Sequence, residues 1–394
     1  MKNTYLVICF IVALVFIIQA CAKLEPAAPK DDELLDGPVA GLTNDQNARF
    51  LAGDLAFNDE IFTPQKGLGP LFVASSCGSC HAGDGKGTPF TTLTRFGQKD
   101  SSGNQFLHLG GPQLQNRALP GFNPEQIPIG ATFSKFTPPA NTGLGFLELV
   151  SDADLLAMSD PTDANGDGIS GVPNYGLLPS FITPFSNAIA LNGKYIHRFG
   201  KKPAAYNLLH QTVNAYNQDM GITSSFSPVD AYSGQTIDPE VTDLTVKNIV
   251  FYLQTLKVPV QRTPADVEVV KGKNIFMQLK CNSCHVPQLK TGYSPIDALS
   301  NKTFFPYTDM LLHDMGTGLD DGYTEGSATT AEWRTPALWG LGLSPKSQGG
   351  KYFLMHDGRA TSIEQAINMH AGEGLQSKNN FNQLAVNERN ALLK

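Results

Sequence analysis

Cysteine is scarce in this sequence, and none of it is spare for a disulfide bond. Six cysteines occur in 394 residues. Two stand near the N-terminus and four form two closely spaced pairs: Cys9, Cys21, Cys77 with Cys80, and Cys281 with Cys284. A disulfide framework is therefore not expected, and the paired thiols are expected to serve another chemistry.

Blocks of basic residues are also absent. The net charge is −7 and no basic amphipathic stretch occurs, so a nucleic-acid partner is not expected. The hydrophobic fraction of 41% suffices for packed cores, and the length corresponds to roughly two or three domains. The 38 glycines and 26 prolines show no period, which indicates ordered loops between short helices.

The N-terminal apolar run is short for a membrane-spanning helix and indicates export instead. Lys2 supplies a positive charge, residues 5–18 are apolar, and a small residue precedes Cys21. The pattern resembles a bacterial lipoprotein signal over residues 1–20, with Cys21 lipidated and the mature protein anchored to a membrane and facing the periplasm. An ordinary secretory signal cleaved nearby is the alternative. Residues 21–42, which contain prolines and an acidic stretch, predict a flexible tether.

Each cysteine pair is followed directly by a histidine, which gives Cys77-Gly-Ser-Cys80-His81 and Cys281-Asn-Ser-Cys284-His285. At this spacing two thiols can add to the two vinyl groups of one haem, and the adjacent imidazole can ligate its iron. A zinc knuckle would need a further ligand pair for each motif. A thioredoxin-like pair does not need the histidine. The sequence therefore predicts two covalently attached haem c groups, with His81 and His285 as iron ligands.

The two motifs predict two cytochrome c-type domains, residues 43–255 and 256–394, in a mainly α fold with long loop insertions. Hydrophobic spacing predicts three helices, over residues 203–219, 238–256 and 264–279.

The helix predicted before Cys281 contains Gly272 and Phe276, four residues apart. In c-type cytochromes such a pair lets the first helix cross the last one closely. The segment before Cys77, Gly67–Phe72, is less regular. The glycine-rich residues 82–87 that follow His81 predict a loop that wraps the haem edge.

Oxygen-bearing side chains alternate at Asp163, Asn165 and Asp167, with Gly168 next in line. This order matches the start of an EF-hand-type calcium loop. The twelfth position of the loop is Asn174, where a bidentate glutamate is expected. A calcium site and a plain Asp/Asn/Gly turn both remain open.

Eight short motifs outside the pentapeptides together resemble the bacterial di-haem oxidoreductase family, whose members are described as peroxidases and as thiol oxidoreductases. That family is distantly similar to the di-haem cytochrome c peroxidases. The likeness runs from about residue 45 to the end, and relatives usually continue beyond Lys394 through a short final helix. The motifs are Gly111–Gln115, Gly143–Glu148, Asp163–Gly171, Arg198–Gly200, Leu311–Gly316, Arg334–Pro336, Trp339–Gly342 and His356–Arg359.

The group opposite each proximal histidine decides whether a haem carries electrons or binds a substrate. For the second haem we expect His370, because Thr361-Ser-Ile-Glu364 fits a capping box that begins a helix bearing it. The di-haem peroxidases place a ligand at the same offset after their His-Asp-Gly motif, which favours His370 too. Met315 is the second candidate, and a hydrogen-bonded core histidine is the alternative role for His370.

For the first haem no partner is evident. His108, Met158 and Met220 lie downstream of His81, but none stands at a persuasive spacing. We therefore expect a five-coordinate first haem. A peroxidase also needs a group that moves a proton, for which the acidic candidates are Glu148 and Glu125; either could instead be a surface carboxylate.

Haem propionates need cationic or hydrogen-bonding neighbours, for which Arg334, Arg359 and His356 are candidates. Trp333 or Trp339 is expected between the haems, although a buried tryptophan is more often plain core.

The resemblance implies that electrons from a donor cytochrome or other redox protein enter at the C-terminal haem and pass to the N-terminal haem, where peroxide is reduced. A pure electron carrier, and an oxidase acting on a thiol or a partner protein, are the alternatives. His197, His210 and His313 receive no role.

Overall fold

The structure is a computed structural model that describes residues 29–97 and 105–394. Leu35–Lys394 form one compact unit, and Met1–Leu34 form another, whose described part contains a short 3-10 helix at Asp31–Glu33. The predicted lipoprotein signal and Cys21 lie outside the described residues. No helix in the described ranges has the length and apolar composition needed to span a bilayer.

Residues 35–42, which fall inside the predicted tether, belong to the compact unit. Leu35 is buried, and the Val39 N–H donates to the carbonyl oxygen of Thr255 at 2.8 Å. The tether prediction therefore applies only to the residues before Leu35.

Helices are the main regular structure of the described chain. In order they are α1 (Asn44–Asn58), α2 (Leu144–Glu148), α3 (Asp152–Met158), α4 (Leu208–Asn214), α5 (Asp243–Thr255), α6 (Val267–Gln278), α7 (Ser344–Ser347), α8 (Ile363–Asn368), α9 (Leu375–Asn382) and α10 (Val386–Leu393). A π-helical turn, Ala215–Asp219, continues α4.

The strands are short and form five separate antiparallel pairs within the described residues: β1 (Leu71–Phe72), β2 (Leu93–Phe96), β3 (Arg117–Ala118), β4 (Phe133–Phe136), β5 (Asn174–Gly176), β6 (Tyr195–His197), β7 (Leu289–Lys290), β8 (Thr303–Phe304), β9 (Leu312–Asp314) and β10 (Glu332–Arg334). The pairs are β1 with β3, β2 with β4, β5 with β6, β7 with β8, and β9 with β10. The predicted mainly α class is confirmed. The division into two haem domains stays a prediction.

The predicted helices exist, but each begins later than the spacing of apolar residues indicated. α5 begins after Thr242, whose hydroxyl accepts from the Thr245 N–H at 3.1 Å. α6 begins after Asp266, and α4 begins after Asn207, each of which caps its helix in the same way. Side-chain caps satisfy the free N–H groups of the first turn and so fix where a helix starts.

Helices α1 and α5 pack against each other at a glycine. A Cβ added to Gly53 would lie 2.2 Å from the carbonyl oxygen of Asn248 in α5, so only glycine lets the two backbones approach so closely. The buried cluster around this crossing includes Phe50, Phe57 and Tyr252, and Cys77 packs against it.

Helices α6 and α10 repeat this arrangement beside the second motif. A Cβ added to Gly272 would lie 2.0 Å from the carbonyl oxygen of Ala391 in α10. The close crossing predicted from Gly272 is confirmed as a helix contact. The small cluster at this crossing contains Ile275 and Phe381, and Cys281 packs against it. Each pentapeptide therefore lies against a crossed pair of helices.

Candidate functional site

The two motif histidines are oriented by the same kind of contact. His81 Nδ1 lies 2.9 Å from the carbonyl oxygen of Pro139, and His285 Nδ1 lies 3.0 Å from that of Tyr307. Donation from Nδ1 leaves Nε2 as the free lone pair. Burial lowers the pKa of each imidazole to about 4, so both are neutral near pH 7. A neutral imidazole with a free Nε2 is the form that ligates a metal.

Each pentapeptide forms one turn. The His81 N–H donates to the carbonyl oxygen of Cys77 at 3.1 Å, and the His285 N–H donates to that of Cys281 at 3.0 Å. All four cysteines are free and half-buried. Burial raises the pKa of the Cys77 and Cys281 thiols to about 12 and about 11.

A phenylalanine from a crossing helix faces each motif histidine. The ring centroids of Phe57 and His81 are 5.9 Å apart, and those of Phe276 and His285 are 6.5 Å apart. The pair Gly53 and Phe57 has the same spacing as Gly272 and Phe276, yet the sequence reasoning missed it. Helix α1 ends well before the first motif, so the pair does not stand among the residues just ahead of Cys77. The Gly-x-x-x-Phe spacing itself was the available signal.

A cavity of about 740 Å³ lies against the second motif. His370 lines it, and its Nδ1 lies 2.8 Å from the carbonyl oxygen of Ala366, so its Nε2 is free as well. Burial lowers the pKa of His370, which keeps the ring neutral. Met315 also lines the cavity, so the structure places both candidate ligands there with His285.

The helix predicted to carry His370 begins one residue later than the capping box indicated, with Ser362 and not Thr361 as its cap. Ser362 caps it by accepting from the Gln365 N–H at 3.0 Å. The helix ends at Asn368, so His370 lies just beyond it rather than on its face. The position of His370 is therefore set by the turn after the helix.

The cations that line the same cavity include Lys86, Lys201 and Arg334. None of these three forms an ion pair with a described residue, and burial lowers the pKa values of their side chains to about 8, about 7 and about 10. The charges of Lys86 and Arg334 lower the pKa of Lys201 further. Cations that repel one another in a shared cavity fit a ligand that carries carboxylates. With the free thiols and imidazoles, this donor set fits a haem with its propionates.

Sequence reasoning found Arg334 but missed the two lysines. Lys201 directly follows the quoted motif Arg198–Gly200, and Lys86 lies in the loop after His81. Neither position has a sequence signal that separates it from a surface lysine. The fold alone brings them to the cavity.

Of the other two predicted propionate partners, one lines the cavity and the other does not. His356 lines the cavity and stacks on Trp333, with ring centroids 3.7 Å apart. Arg359 does not line the cavity; its guanidinium donates to Asp357 at 2.8 Å and to the carbonyl oxygen of Gly318 at 3.2 Å. The structure therefore supports His356 and pairs Arg359 with a near neighbour in the chain.

Asp219, which sequence reasoning did not single out, lies beside the first motif. Its carbonyl oxygen accepts from the N–H groups of Val73 and Ala74 at 2.7 and 3.1 Å, and its carboxylate accepts from Gln113. Burial raises the pKa of Asp219 to about 7. The residue ends the π-helical turn, an irregularity often found at functional sites.

The two predicted acids have different surroundings. Both oxygens of Glu148 are used, by the Leu208 N–H and by Gln254 Nε2, each at 2.7 Å, and the residue is 4% exposed. Glu148 thus holds the start of α4 against α5. Glu125 is half-buried and accepts from the Gln115 N–H at 2.7 Å, and burial raises its pKa. It supports the segment 111–115 that also contacts Asp219.

The three candidate ligands of the first haem lie in three different surroundings. His108 is exposed, Met158 packs against the cluster around Leu155, and Met220 is buried in the α1 and α5 cluster that contacts Cys77. The sixth position of the first haem stays a prediction.

The three histidines for which the sequence predicted no role have defined neighbours in the structure. His197 and His210 lie with ring centroids 5.6 Å apart, and burial lowers the pKa of each to about 4. His313 Nε2 lies 2.7 Å from Asp309 and its Nδ1 lies 2.5 Å from Glu373. Burial opposes the charged form, but hydrogen bonds to Asp309, Cys284 and Glu373 outweigh it and raise the pKa of His313 to about 12. An imidazolium therefore lies 3.4 Å from the Cys284 sulfur.

The candidate calcium loop is a chain of tight turns. Asp163 accepts from the Gly168 N–H at 3.1 Å, Asn165 from the Asp167 N–H at 2.9 Å, and Asp167 from the Ile169 N–H at 3.0 Å. These bonds fit a plain Asx-rich turn as well as a calcium loop. The calcium site stays a prediction.

A family model described as "Di-haem oxidoreductase, putative peroxidase" matches residues 133–394. This match confirms the resemblance drawn from the motifs. No curated protein matches the chain in sequence. Hydrazine synthase from Kuenenia stuttgartiensis is similar in structure, with a TM-score of 0.40 and 13% identity, over 94% of this chain and 92% of that chain. A likeness of this size says nothing about what this chain does.

Proposed function

Because this chain belongs to the di-haem oxidoreductase family, we propose that it binds two haem c groups and reduces hydrogen peroxide to water. The overall reaction takes one peroxide, two protons and two electrons to two waters. A donor cytochrome or another redox protein supplies the electrons. They enter at the second motif and pass to the first.

The observation that carries the proposal is the difference between the two motifs. At the second motif, His370 presents a second free Nε2 to the cavity that His285 lines. At the first motif, no second histidine with this geometry lies among residues 29–97 and 105–394. A six-coordinate haem would transfer electrons, and a haem with an open position would bind peroxide. A di-haem peroxidase needs one of each.

Haem supplies one-electron redox chemistry at its iron when it is bound. The protein residues would hold it and neutralise it: the cysteines would attach it, His81 and His285 would offer Nε2 to its iron, and the cavity cations would neutralise its carboxylates. Glu125 is the proposed proton donor, because burial raises its pKa. Glu148, with both oxygens engaged, is the weaker acid candidate.

Turnover of hydrogen peroxide by the haem-loaded, pre-reduced protein tests the function. We expect steady oxidation of a reduced cytochrome or dye donor, and the absence of turnover would contradict the proposal. Carbon monoxide should bind one ferrous haem and not the other. If it binds neither, the protein is an electron carrier with two six-coordinate haems.

The sixth ligand of the second haem has its own test. His370→Ala should change the spectrum of that haem from low to high spin. Met315→Leu should leave it unchanged, since both residues line the cavity but only His370 is proposed to bind. The reverse result would assign the ligand to Met315.

We also propose, from the N-terminal pattern, that the protein is exported and anchored through lipidated Cys21. Cys21→Ser should move the protein from the membrane fraction to the soluble periplasmic fraction. If Cys21→Ser stays in the membrane fraction, the anchor lies elsewhere.

A further inference from the structure

The chain has two tryptophans, and both line the cavity of the second motif. A tryptophan beside a haem can lose an electron in two ways. It can stay a radical cation, or it can give its indole proton to a nearby acceptor and become a neutral radical. The neighbours of the indole decide whether either route is open.

Trp333 has a cation over its ring. The Lys202 ammonium lies 4.0 Å from the ring centroid. Lys202 is fully buried and is fixed there by the carbonyl oxygens of Thr329, Thr330 and Glu332, at 2.7, 2.9 and 2.7 Å. A fixed positive charge stabilises the electron-rich neutral indole and opposes a second positive charge on it.

The neutral-radical route is also closed at Trp333. Its indole N–H donates to the carbonyl oxygen of Leu319 at 2.9 Å, and an amide carbonyl does not take up the proton. His356 stacks on the ring at 3.7 Å between centroids and makes no hydrogen bond to the indole nitrogen. Trp333 is 7% exposed, so bulk water does not provide an acceptor either.

Trp339 has neither restraint. Among the described residues no cation lies over its ring, and its indole N–H has no hydrogen-bond partner. The ring packs against Phe304, with centroids 5.8 Å apart, and is half-buried. A positive charge left on this indole would face no fixed cation, and its proton is not held by a hydrogen bond to a described residue.

We infer that Trp339 is the oxidisable tryptophan of this protein, and that Lys202 and Leu319 keep Trp333 from being oxidised. The inference rests on the proposed function only for the natural oxidant, hydrogen peroxide. Without a donor protein, the two electrons for peroxide would have to come from the haem-loaded protein itself, one of them from Trp339, which would also release its indole proton, and the other from the bound haem. Electron transfer past Trp333 then takes place without oxidation of that residue.

A photogenerated ruthenium(III) complex tests this without peroxide turnover. One electron passes from the indole to ruthenium(III), giving ruthenium(II), the indole proton goes to water, and dissolved dioxygen adds to the indole radical. The oxidised tryptophan is then counted by peptide mass spectrometry of the haem-loaded protein. We expect oxidation at Trp339 to exceed that at Trp333 by at least about tenfold, given a unit charge 4.0 Å away. Equal or faster oxidation at Trp333 would overturn the inference.

Lys202→Met removes the charge and keeps the length of the side chain. It should raise oxidation at Trp333 by at least about tenfold, whereas the surface variant Lys247→Met should not change the ratio. A folded Lys202→Met protein with unreactive Trp333 would show that the cation is not the cause.

If Lys202→Met does not fold, as near-ultraviolet circular dichroism would show, Trp339→Phe decides. Oxidation should then be lost and not transferred to Trp333. Failure of peroxide turnover alone would contradict the proposed function and leave this inference standing.

Discussion

Glu373 lies three residues after His370, and its carboxylate joins the chain there to two other segments. One oxygen accepts from the Ser170 hydroxyl at 2.6 Å and the Asp314 N–H at 3.3 Å. The other accepts from the Ser170 N–H at 3.1 Å and from His313 Nδ1 at 2.5 Å. We predict that Glu373→Gln loosens this join and lowers the occupancy of His370 as a haem ligand.

The magnitude follows from which donors the amide can still serve. The amide NH₂ avoids the oxygen site that faces two N–H donors, Ser170 and His313. It therefore takes the other site, where the Ser170 hydroxyl can turn to accept and only the long bond from Asp314 is lost. The charge of the bond to the His313 imidazolium disappears too. Losing one neutral bond and weakening one charged bond costs about 2–3 kcal/mol in the free energy of unfolding.

Urea unfolding of the haem-loaded variant measures the loss, and the spin state of the second haem reports His370. Glu364→Gln is the matched control, because Glu364 pairs with Arg389 at 3.0 Å on the surface, 44% exposed, and should change stability by less than about 0.5 kcal/mol. An unchanged unfolding midpoint for Glu373→Gln would refute the reasoning. A lower midpoint with a fully low-spin second haem would show that the Glu373 contacts stabilise the fold but do not position His370.

Three further predictions concern stability. Gly272→Ala should cost about 1–3 kcal/mol in thermal unfolding, because the new Cβ meets the Ala391 carbonyl at 2.0 Å; an unchanged melting temperature would contradict the close crossing. The pKa of His313 is raised in the fold to about 12 against the pull of burial, chiefly by Asp309. Its contribution to stability is therefore complete below about pH 6.5 and lost as the pH rises towards 12. His313→Gln should flatten the fall of urea stability between pH 7 and 11. Calcium should raise the melting temperature if residues 163–167 bind it, and no shift with calcium or chelator would exclude the site.

The helix crossings were half predictable from the sequence. Gly272 and Phe276 stand just before the second motif, where a cytochrome helix is expected, so local spacing was sufficient. Gly53 and Phe57 have the same spacing, but a long loop separates them from Cys77. A pattern that works at short range could not connect them, because loop length is not fixed by the motif.

The cavity was less predictable. Arg334 and His356 were expected there, but Lys86 and Lys201 were not, and Arg359 pairs instead with its near neighbour Asp357. The sequence shows that a residue is cationic but not which acidic residue it pairs with. Which cations are left without an acid is settled only when distant segments fold together.

The sequence by itself predicted the cofactor chemistry and one iron ligand for each haem, because thiol and imidazole spacing within five residues is local geometry. It also determined the family through a set of short motifs. The tertiary structure decided what faces those ligands, since His370, Lys201 and Trp333 reach the cavity from segments far apart in the chain. It also decided which tryptophan is shielded, because the Lys202 charge acts through space at 4.0 Å and leaves no pattern in the sequence.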